Sequence, residues 1–415
     1  MLGLLLDRLM RKGALTVIHP DGKMETFGDG MPHVTLRFHD KRAVTQLVLN
    51  PDLALGELYM DGRLTVENGG TIRDALDLLM MNLGMVQPGG LHKFVRGFRR
   101  VTRRFSQFNP AKKSKEHVAH HYDLDGRLYD LFLDKDKQYS CAYFSAPGET
   151  LEEAQIGKKR HIAAKLHIDK PGLKVLDIGC GWGGLALDLA RDTRAKVLGV
   201  TLSEEQIGIA QDRAAKAKLE DNCRFELVDY RALGGKYDRI VSVGMFEHVG
   251  APYYDAFFAK VRELLSDDGV ALIHTIGRLD GPGSTNSWIA KYIFPGGYVP
   301  ALSEMTAAIE KSGLMVTDVE VLRLHYAQTL LEWSKRFQAN RARAAEIYDE
   351  RFCRMWEFYL AGAEMAFRHD GQVVFQVQIT KNVNALPITR DYMLETERTM
   401  RFAGTESMPA PLRAV

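Results

Sequence analysis

The sequence predicts an α/β fold: a doubly wound, seven-stranded, mostly parallel sheet, preceded by a smaller N-terminal α/β domain. Two observations support this prediction. From Leu173 onward, short β-branched runs alternate with longer helical patterns, and this alternation specifies a parallel sheet covered by helices. The run "LKVLDI" is followed by four glycines within six residues, which is typical of a sharp strand-to-helix turn at the ligand edge of such a sheet.

Composition narrows the class of protein. A chain of 415 residues has room for two domains, and 46% hydrophobic with 26% charged residues is ordinary for a globular protein with a large core. A net charge of +2 does not select a partner by itself. The four cysteines form no C-x-x-C pair, so we expect a reduced, cytoplasmic setting with neither disulfides nor a metal site.

The sequence shows no segment that predicts a permanent membrane anchor. No apolar run approaches the roughly 20 residues of a membrane-spanning helix. The opening stretch "MLGLLLDRLMRKG" has its charges after the apolar residues and no small-residue cleavage site. It therefore predicts a short amphipathic helix and not a signal peptide.

We assign residues 1–90 to a small N-terminal α/β domain. A turn is expected at Asp61-Gly62, between the strands and the last helix of this domain. Alternating apolar residues predict strands at "LTVIHP", "HVTLRFH" and "QLVLN", and helical spacing predicts a helix over "TIRDALDLLMMNLGM".

Residues 91–115 are predicted to form a basic linker. The stretch from Lys93 to Lys115 holds nine Lys or Arg residues and no Asp or Glu, interleaved with four phenylalanines. One interpretation is a solvated connection between domains. The other is a basic, aromatic patch that lies on an anionic membrane, where each cation contributes ~1 kcal/mol. Nucleic acid is not expected, because no nucleic-acid module accompanies the patch.

The catalytic domain is predicted over residues 116–400. A long helical stretch from Ala327 to Phe367 precedes the last strand and is expected to cover the ligand edge of the sheet. Strands are predicted at 173–178, 196–201, 223–228, 238–244, 269–276, 314–322 and 371–380, with helices between them, notably at 203–218, 254–265 and 301–312.

The glycine loop after the first strand indicates the ligand. A dinucleotide-binding loop has the pattern G-x-G-x-x-G, whereas Gly179, Gly181 and Gly183 are each two residues apart. Asp177 stands just before the turn, where a carboxylate suits a cationic ligand. The pattern resembles the S-adenosylmethionine loop of class I methyltransferases, with a nicotinamide-dependent enzyme as the alternative.

The next two strands end in residues that suit a nucleoside. Thr201 and Gln206 can form hydrogen bonds with the cofactor, although many such enzymes carry an acidic residue in place of Thr201. The third strand ends in "VDYRAL", which offers Asp229 for the adenine amino group and Tyr230 beside the ring.

With these residues in hand, the chain resembles the cyclopropane-fatty-acyl-phospholipid synthases, a family that includes the mycolic acid cyclopropane synthases. The resemblance extends from about Glu116 to Thr380. It rests on ten motifs in order: "HYDLDGRLYDLFLD", "QYSCAYF", "TLEEAQIGKKR", "VLDIGCGWGGLA", "GVTLSEEQ", "VDYRAL", "DRIVSVGMFEHVG", "HTIG", "WIAKYIFPGGYVP" and "HYAQTLLEW".

The resemblance implies a reaction. The family methylates a cis double bond of a lipid acyl chain, and the methyl carbon becomes the methylene of a cyclopropane ring. An alkene is a weak nucleophile, so the sulfonium must be held close and in line. The resulting carbocation must lose a proton inside a dry, apolar tunnel. In the family the base is a bound bicarbonate ion.

The resemblance also implies the site residues. The bicarbonate cage corresponds to Cys141, Glu247, His274, Ile276 and Tyr326, with the backbone N–H groups of Cys141 and Ile276 expected to donate to the anion. His274 and Tyr326 would add side-chain hydrogen bonds, and Glu247 would accept the proton of bicarbonate.

The cofactor residues follow in the same way. The methionine end of S-adenosylmethionine should meet Tyr139, Ser140, Gly179 and Gly181; Thr201, Leu202 and Gln206 should hold the ribose region, and Asp229 and Tyr230 the adenine. The resemblance removes the objection to Thr201, because the family itself has threonine there.

Taken singly, the site residues have plainer interpretations. A cysteine such as Cys141 is more often a buried small hydrophobe, and His274 at the end of a strand can simply cap a carbonyl. His120 and His121 are interpreted as packing residues. An apolar sleeve for a lipid is the favoured interpretation of four aromatic residues, with plain core as the alternative: Trp288, Tyr292, Phe294 and Tyr298.

Two other functions stay open. A related enzyme whose carbocation loses its proton elsewhere would give a methyl- or methylene-branched chain, and a lipid-binding adaptor would have lost activity. We expect an unsaturated phospholipid substrate, because the mycolate enzymes lack a unit like residues 1–90. We also expect a homodimer, associated peripherally with the inner face of the cell membrane.

Overall fold

The computed structural model describes residues 2–83 and 126–400. The basic segment 93–115, the proposed membrane patch, lies outside the described residues, as do His120, His121 and both predicted domain boundaries. Within the described ranges, no helix is both long enough and apolar enough to cross a bilayer. All four cysteines are buried and none is joined in a disulfide.

The N-terminal domain is a four-stranded sheet packed with helices. Its sheet order is β2-β1-β3-β4, with β1 parallel to β3 and antiparallel to β2. The elements are α1 (Leu2–Leu9), β1 (Gly13–Ile18), β2 (Met24–Asp29), β3 (His33–Phe38), α2 (Lys41–Leu49), α3 (Pro51–Met60), β4 (Leu64–Glu67) and α4 (Ile72–Leu83).

The predicted strand "QLVLN" is wrong, because these residues end helix α2. The carboxylate of Asp40 accepts the backbone N–H of Ala43 at 2.8 Å and so caps the first turn of α2. Arg63 pairs with the same carboxylate, which fixes the cap. A short apolar run does not distinguish a strand from part of a helix, and the cap lies six residues before the run begins.

The larger sheet has the seven predicted strands, in the order β10-β11-β9-β8-β5-β6-β7. Strands β5 to β9 run parallel, and β11 runs antiparallel to both of its neighbours. The strands are β5 (Lys174–Ile178), β6 (Lys196–Thr201), β7 (Cys223–Leu227), β8 (Tyr237–Val243), β9 (Leu265–Arg278), β10 (Met315–Leu322) and β11 (Gln372–Thr380).

Helices cover this sheet and confirm the doubly wound α/β class. They are α5 (Gly126–Tyr129), α6 (Leu151–Lys165), α7 (Gly184–Thr193), α8 (Glu204–Lys216), α9 (Tyr254–Leu264), α10 (Ser287–Tyr292), α11 (Leu302–Ser312), α12 (His325–Ala339), α13 (Arg341–Ile347), α14 (Glu350–His369) and α15 (Asp391–Thr399). The chain order reverses beside β5, which has β6 on one side and β8 on the other. Ligands bind at the carboxyl ends of the strands near such a point.

The helical stretch predicted over Ala327 to Phe367 consists of α12, α13 and α14, and α14 joins the two domains. Ala361 and Met365 of α14 are buried in the core of the N-terminal domain. Arg73 of α4 donates to the fully buried carboxylate of Glu364 at 2.8 Å. Tyr59 of α3 donates to Glu357 at 2.9 Å. The N-terminal domain therefore packs directly on the helices that cover the catalytic sheet.

Candidate active site

The glycine loop after β5 forms one wall of a pocket. Gly179, Gly181 and Gly183 have φ angles of +83°, +54° and +82°, a region that favours glycine. A side chain at Gly179 would place its Cβ 2.8 Å from Cβ of Met245, so glycine is required for the close approach of the β8 loop. The pocket encloses about 950 Å³, including its open mouth. Its lining residues come from the carboxyl ends of β5 to β8 and the segments that follow them, where such sheets hold their ligands.

The second wall comes from the end of β6. Thr201, Leu202 and Gln206 line the pocket as predicted. The hydroxyl of Thr201 donates to Oε1 of Gln206 at 3.0 Å and accepts the backbone N–H of Ser203 at 3.2 Å. The side chains of Thr201 and Gln206 are thus fixed relative to each other at the carboxyl end of β6, where a ribose would lie.

The third wall comes from the end of β7. Asp229 and Tyr230 line the pocket, and Tyr230 packs edge-on against Phe257 at 5.5 Å between ring centroids. The carboxylate of Asp229 accepts hydrogen bonds from the guanidinium and backbone N–H of Arg231. Burial alone would raise the pKa of Asp229, but the bonds from Arg231 hold it below its ordinary value. A charged carboxylate with remaining lone pairs suits an adenine amino group.

Three predicted cofactor residues do not line this pocket: Tyr139, Ser140 and Asp177. Asp177 is buried within β5 behind the glycines, and burial raises its pKa to about 7, against the opposing charge of Lys158. Ser140 borders the pocket from another side, because a Cβ on the pocket residue Gly244 would lie 3.9 Å from Cβ of Ser140.

The segment around Ser140 is held by α6 and by aromatic packing. Gln155 of α6 donates to the carbonyls of Gln138 and Ser140 at 3.2 and 3.1 Å. Tyr139 stacks on Trp333 with centroids 5.1 Å apart, and its hydroxyl lies 2.9 Å from that of Tyr359. These contacts therefore hold the segment in one position near the carboxyl end of β5.

Glu247 follows β8 in a short 3-10 turn and is bound to the neighbouring strand. Its Oε1 accepts the backbone N–H of Ile276 at 2.7 Å. The prediction that this N–H donates to a bound anion is therefore corrected: a buried carboxylate needs a donor, and Ile276 supplies it. Burial raises the pKa of Glu247 to about 7, against the opposing effects of Ile276 and Thr275. The other oxygen, Oε2, is buried with no partner among the described residues.

His274 lies two residues before Ile276 on β9, so the two side chains share one face of the sheet. The amide nitrogen of Gln376 lies 3.1 Å from Nδ1 of His274. An amide nitrogen only donates, so Nδ1 accepts and the proton of the neutral ring sits on Nε2. Burial and nearby cations lower the pKa of His274 well below its ordinary value. Nε2 is buried with no partner in the part of the chain that the structure describes.

Cys141 and Tyr326 complete the predicted cage and lie in the same apolar cluster as Ile276. The Cys141 thiol is 1% exposed and lies 3.3 Å from the carbonyl of Ala142, and burial raises its pKa. Tyr326 packs edge-on against Trp333, the residue on which Tyr139 stacks. Cys141, Ile276 and Tyr326 thus share one cluster with Tyr139 of the predicted methionine site.

Of the four aromatic residues interpreted as a lipid sleeve, three form structural contacts and one, Phe294, contacts a residue of the pocket. Trp288 and Tyr292 face the N-terminal domain: a Cβ on Gly56 would lie 2.3 Å from the Trp288 indole, and Tyr292 donates to Glu57 at 2.7 Å. Phe294 contacts His248 of the pocket and Tyr359 of α14. Tyr298 is buried and its hydroxyl donates to Glu304 at 2.7 Å. Three of the four therefore have structural contacts, as plain core residues do.

Sequence reasoning missed three side chains that support the site: Lys158, Gln376 and Arg231. Arg231 lies two residues after Asp229 in a motif already singled out, so its pairing was open to prediction. Gln376 faces His274 across β11 and β9, a register that sequence spacing does not reveal. Lys158 stands in "GKKR", which resembles a solvated basic run, yet it is fully buried.

Comparison with known proteins identifies the family of the chain. Residues 109–377 match the family model described as mycolic acid cyclopropane synthetase. Residues 5–85 match a separate model, Domain of unknown function (DUF7884). The first match covers most of the chain and all the site residues described above.

Named relatives support the same assignment. The chain is 37% identical to a probable fatty acid methyltransferase of Pseudomonas putida, over 90% of this chain and 94% of that protein. It is 39% identical to the cyclopropane-fatty-acyl-phospholipid synthase of Escherichia coli K12, over 81% and 86%. The solved mycolic acid cyclopropane synthase CmaA1, in complex with SAH and CTAB, is 36% identical with a TM-score of 0.61, covering 66% of this chain and 99% of that one. The chain therefore belongs to the cyclopropane-fatty-acyl-phospholipid synthase family of S-adenosylmethionine-dependent methyltransferases.

Proposed function

We propose that this enzyme adds a methylene group from S-adenosylmethionine across the cis double bond of an unsaturated acyl chain in a membrane phospholipid, forming a cyclopropane ring. The observation that carries the proposal is the pair of buried, unpartnered atoms at the end of the sheet, Oε2 of Glu247 and Nε2 of His274, as seen within the described residues. Leaving such atoms without partners costs free energy, so each is expected to meet a polar group when the site is filled.

The residues of the pocket suit the cofactor. S-adenosylmethionine, when bound, supplies a methyl group on a cationic sulfur. The glycine loop admits the backbone close to it, Thr201 and Gln206 face the ribose region, and Asp229 offers a charged acceptor for the adenine amino group. The aromatic segment that begins at Tyr139 then excludes water from the reacting end.

The buried polar atoms suit a small protonated anion. Bicarbonate, when bound, supplies a base that can take the proton released as the ring closes. Nε2 of His274 would donate to it, and Oε2 of Glu247 would share its proton. Ile276 acts as a positioning residue, because its N–H orients Glu247. Cys141 and Tyr326 belong to the apolar cluster around Ile276 and would close the anion site on that side.

The role of Glu247 follows from the chemistry of the acyl chain. Methylation of a double bond leaves a carbocation, and the ring closes when the new methyl group loses a proton and its C–H electrons form the second C–C bond. A carboxyl whose pKa lies at about 7 can hold or release a proton near neutral pH. Glu247 is therefore suited to relay that proton away from the carbocation.

A second candidate function is transfer of a methyl group to give a methyl- or methylene-branched chain. The specific observation that favours it is the relative in Pseudomonas putida, whose printed name is a probable fatty acid methyltransferase and which aligns with 90% of this chain. The two functions share every step up to the carbocation. Analysis of the product formed from unsaturated phospholipid vesicles separates them, because a ring and a branch differ in structure.

The partners of the enzyme belong to the same proposal. A phospholipid substrate requires access to a bilayer, and the basic, aromatic segment 93–115 supplies the charge for peripheral attachment to an anionic, cytoplasmic leaflet. We include a homodimer in this proposal, to be tested by the mass of the protein in solution.

A further inference from the structure

Helix α6 buries a lysine directly behind the segment that carries Tyr139, Ser140 and Cys141. Lys158 has no exposed surface. Its Nζ donates to Oε1 of Gln138 and to Oγ of Ser140, each at 2.8 Å. Burying an ammonium group is costly unless it is paired. Its place beside the cofactor pocket therefore calls for a reason.

Fixing the backbone of the segment is not that reason, because α6 already does so with other residues. Gln155 donates to the carbonyls of Gln138 and Ser140. The N–H of Tyr143 donates to the carbonyl of Ala154 at 3.0 Å. Gly157 permits this contact, since a Cβ there would lie 2.9 Å from the carbonyl oxygen of Tyr143. Lys158 instead binds side chains, and one of them is the hydroxyl of Ser140.

The chemistry of the bond fixes the direction of the Ser140 hydroxyl. An ammonium group has donors and no acceptor, so Oγ of Ser140 accepts from Lys158. The single proton of Ser140 must then point to another acceptor. Ser140 lies next to the pocket residue Gly244, since a Cβ on Gly244 would lie 3.9 Å from Cβ of Ser140. Lys158 therefore makes Ser140 a hydrogen-bond donor at the edge of the cofactor pocket.

Charged and titratable groups from several elements surround Lys158. Asp134, Asp136 and the Cys141 thiol come from its partner segment, Asp177 from β5, and Lys159 from its own helix. The charge of Lys158 also lowers the pKa of His274 on β9. Burial lowers the pKa of Lys158 to about 8, with Asp134 opposing the change. The positive charge at this place is thus retained at neutral pH and lost in mild alkali.

We propose that Lys158 is a positioning residue that orients the Ser140 hydroxyl as a donor to the carboxylate of the methionine end of S-adenosylmethionine. This inference rests on the placement of the methionine end at Ser140 in the proposed function. A carboxylate is the acceptor that a polarised hydroxyl and a nearby cation both favour, because a charge-assisted hydrogen bond is stronger than a neutral one. Deprotonation of Lys158 would remove the positive charge that strengthens this arrangement and so weaken the bound cofactor.

The test measures binding of S-adenosylhomocysteine, which has the same carboxylate, by titration calorimetry from pH 6.5 to 9.5. We expect Lys158→Met to weaken binding by about tenfold near pH 7, as loss of a charged hydrogen bond does. The wild-type affinity should fall above pH 8 and approach that of the variant. Ser140→Ala should lose a similar factor, and the double variant should lose no more than either single variant, because the two residues act as a unit.

Lys159→Met is the matched control. Lys159 is the next residue on α6 and is also buried, but it pairs with Asp136 and Asp188. This variant should lower the melting temperature and keep an alkaline fall in affinity, including any part that comes from the amino group of the ligand. The midpoint of that fall should move to higher pH, because the charge of Lys159 lowers the pKa of Lys158. Should Lys158→Met not fold, Ser140→Ala tests the same claim, because its affinity should fall less above pH 8 than that of the wild type.

Three results would overturn the inference. The first is a Lys158→Met protein that binds S-adenosylhomocysteine as tightly as the wild type. The second is a wild-type affinity that does not change between pH 7 and 9.5. The third is an unchanged affinity with a raised bicarbonate requirement for turnover, which would assign Lys158 to the anion instead. A wild-type chain that does not bind S-adenosylhomocysteine would count against the proposed function itself.

Discussion

The backbone N–H of Ile276 donates a 2.7 Å hydrogen bond to Oε1 of Glu247, and this bond joins the turn after β8 to the neighbouring strand β9. It holds one carboxylate oxygen and leaves the other buried and unpartnered among the described residues, beside the strand that carries His274. A carboxyl fixed in this way cannot rotate freely to solvent. The remaining oxygen, Oε2, is therefore held in place and can bind only a group that lies next to it.

Glu247→Gln should abolish most turnover and leave cofactor binding intact. The amide keeps the shape and the acceptor for Ile276, but it cannot take up a proton. Loss of a positioned proton acceptor typically costs 10²- to 10⁴-fold in rate. The measurement is transfer of labelled methyl groups into lipid, alongside calorimetric titration with S-adenosylhomocysteine. Full activity in this variant would remove Glu247 from the mechanism.

The same substitution should also change how stability depends on pH. The folded-state pKa of Glu247 is raised to about 7 from an ordinary value of 4.5, so between these values the folded chain holds a proton that the unfolded chain has released. Stability from this group is therefore lost as pH rises through that window. Glu247→Gln should gain stability relative to the wild type between pH 5 and 8, by at most about 3 kcal/mol.

Chemical denaturation at the two pH values measures this difference. Asp177 and His274 titrate in both proteins, so their contributions cancel when the variant and the wild type are compared at each pH. An equal stability difference at pH 5 and pH 8 would mean that Glu247 has an ordinary pKa in the folded chain.

Gln376→Met should lower turnover by about 10- to 100-fold, the usual effect of removing a group that orients a catalytic histidine. The amide holds the proton of His274 on Nε2, and methionine cannot donate to Nδ1. Affinity for S-adenosylhomocysteine should not change. Gln378→Met is the control on the same strand, since Gln378 bonds to Tyr392 and the carbonyl of Lys165. An equal loss of turnover in both variants would indicate a general effect on β11.

Gly179→Ala should destabilise the protein more than Gly148→Ala. Both glycines have positive φ angles, +83° and +86°, so each alanine pays a similar backbone strain of about 1 kcal/mol. A Cβ at Gly179 also meets Met245 at 2.8 Å, whereas Gly148 has open space around it. Thermal unfolding and titration with S-adenosylhomocysteine measure the outcome. Equal melting temperatures and unchanged affinity in both variants would show that the loop after β8 moves away from the added methyl group without loss of stability.

Removing four arginines of the basic segment should weaken binding to anionic vesicles. The variant replaces by alanine Arg99, Arg100, Arg103 and Arg104. Cosedimentation should fall for this variant and also for the wild type in 1 M salt, where charges are screened beyond about 3 Å. A control that removes the same charge from exposed positions should bind normally: Lys196, Lys216, Lys218 and Lys311. Binding that is indifferent to salt and to the arginines would exclude the segment as the membrane contact.

Much of the fold was predictable because the central strands of the larger sheet are buried on both faces. These strands are rich in apolar residues and are separated by helical patterns, so all seven strands of the sheet were located within a few residues. The N-terminal sheet was harder. Strand β2, "METFGD", is a mostly exposed edge strand without an apolar run, and the cap that begins α2 lies outside the run "QLVLN".

The site was predictable where a motif carries its own chemistry, as in the glycine loop and the residues that end β6 and β7. It was not predictable where a role depends on contacts between distant segments. Nothing local indicates that Ile276 supports Glu247, that Gln376 sets the tautomer of His274, or that Lys158 is buried behind Ser140. These relationships arise from strand register and helix packing, which bring together residues that lie up to 102 positions apart.

The most direct test of the account is the product formed when the enzyme is incubated with unsaturated phospholipid vesicles and S-adenosylmethionine carrying a trideuterated methyl group. Released fatty acids are analysed by gas chromatography with mass spectrometry. We predict a saturated cyclopropane that retains two of the three deuterium atoms, because one leaves as the ring closes. A branched chain that retains all three, an exocyclic methylene, or no label in lipid would contradict it.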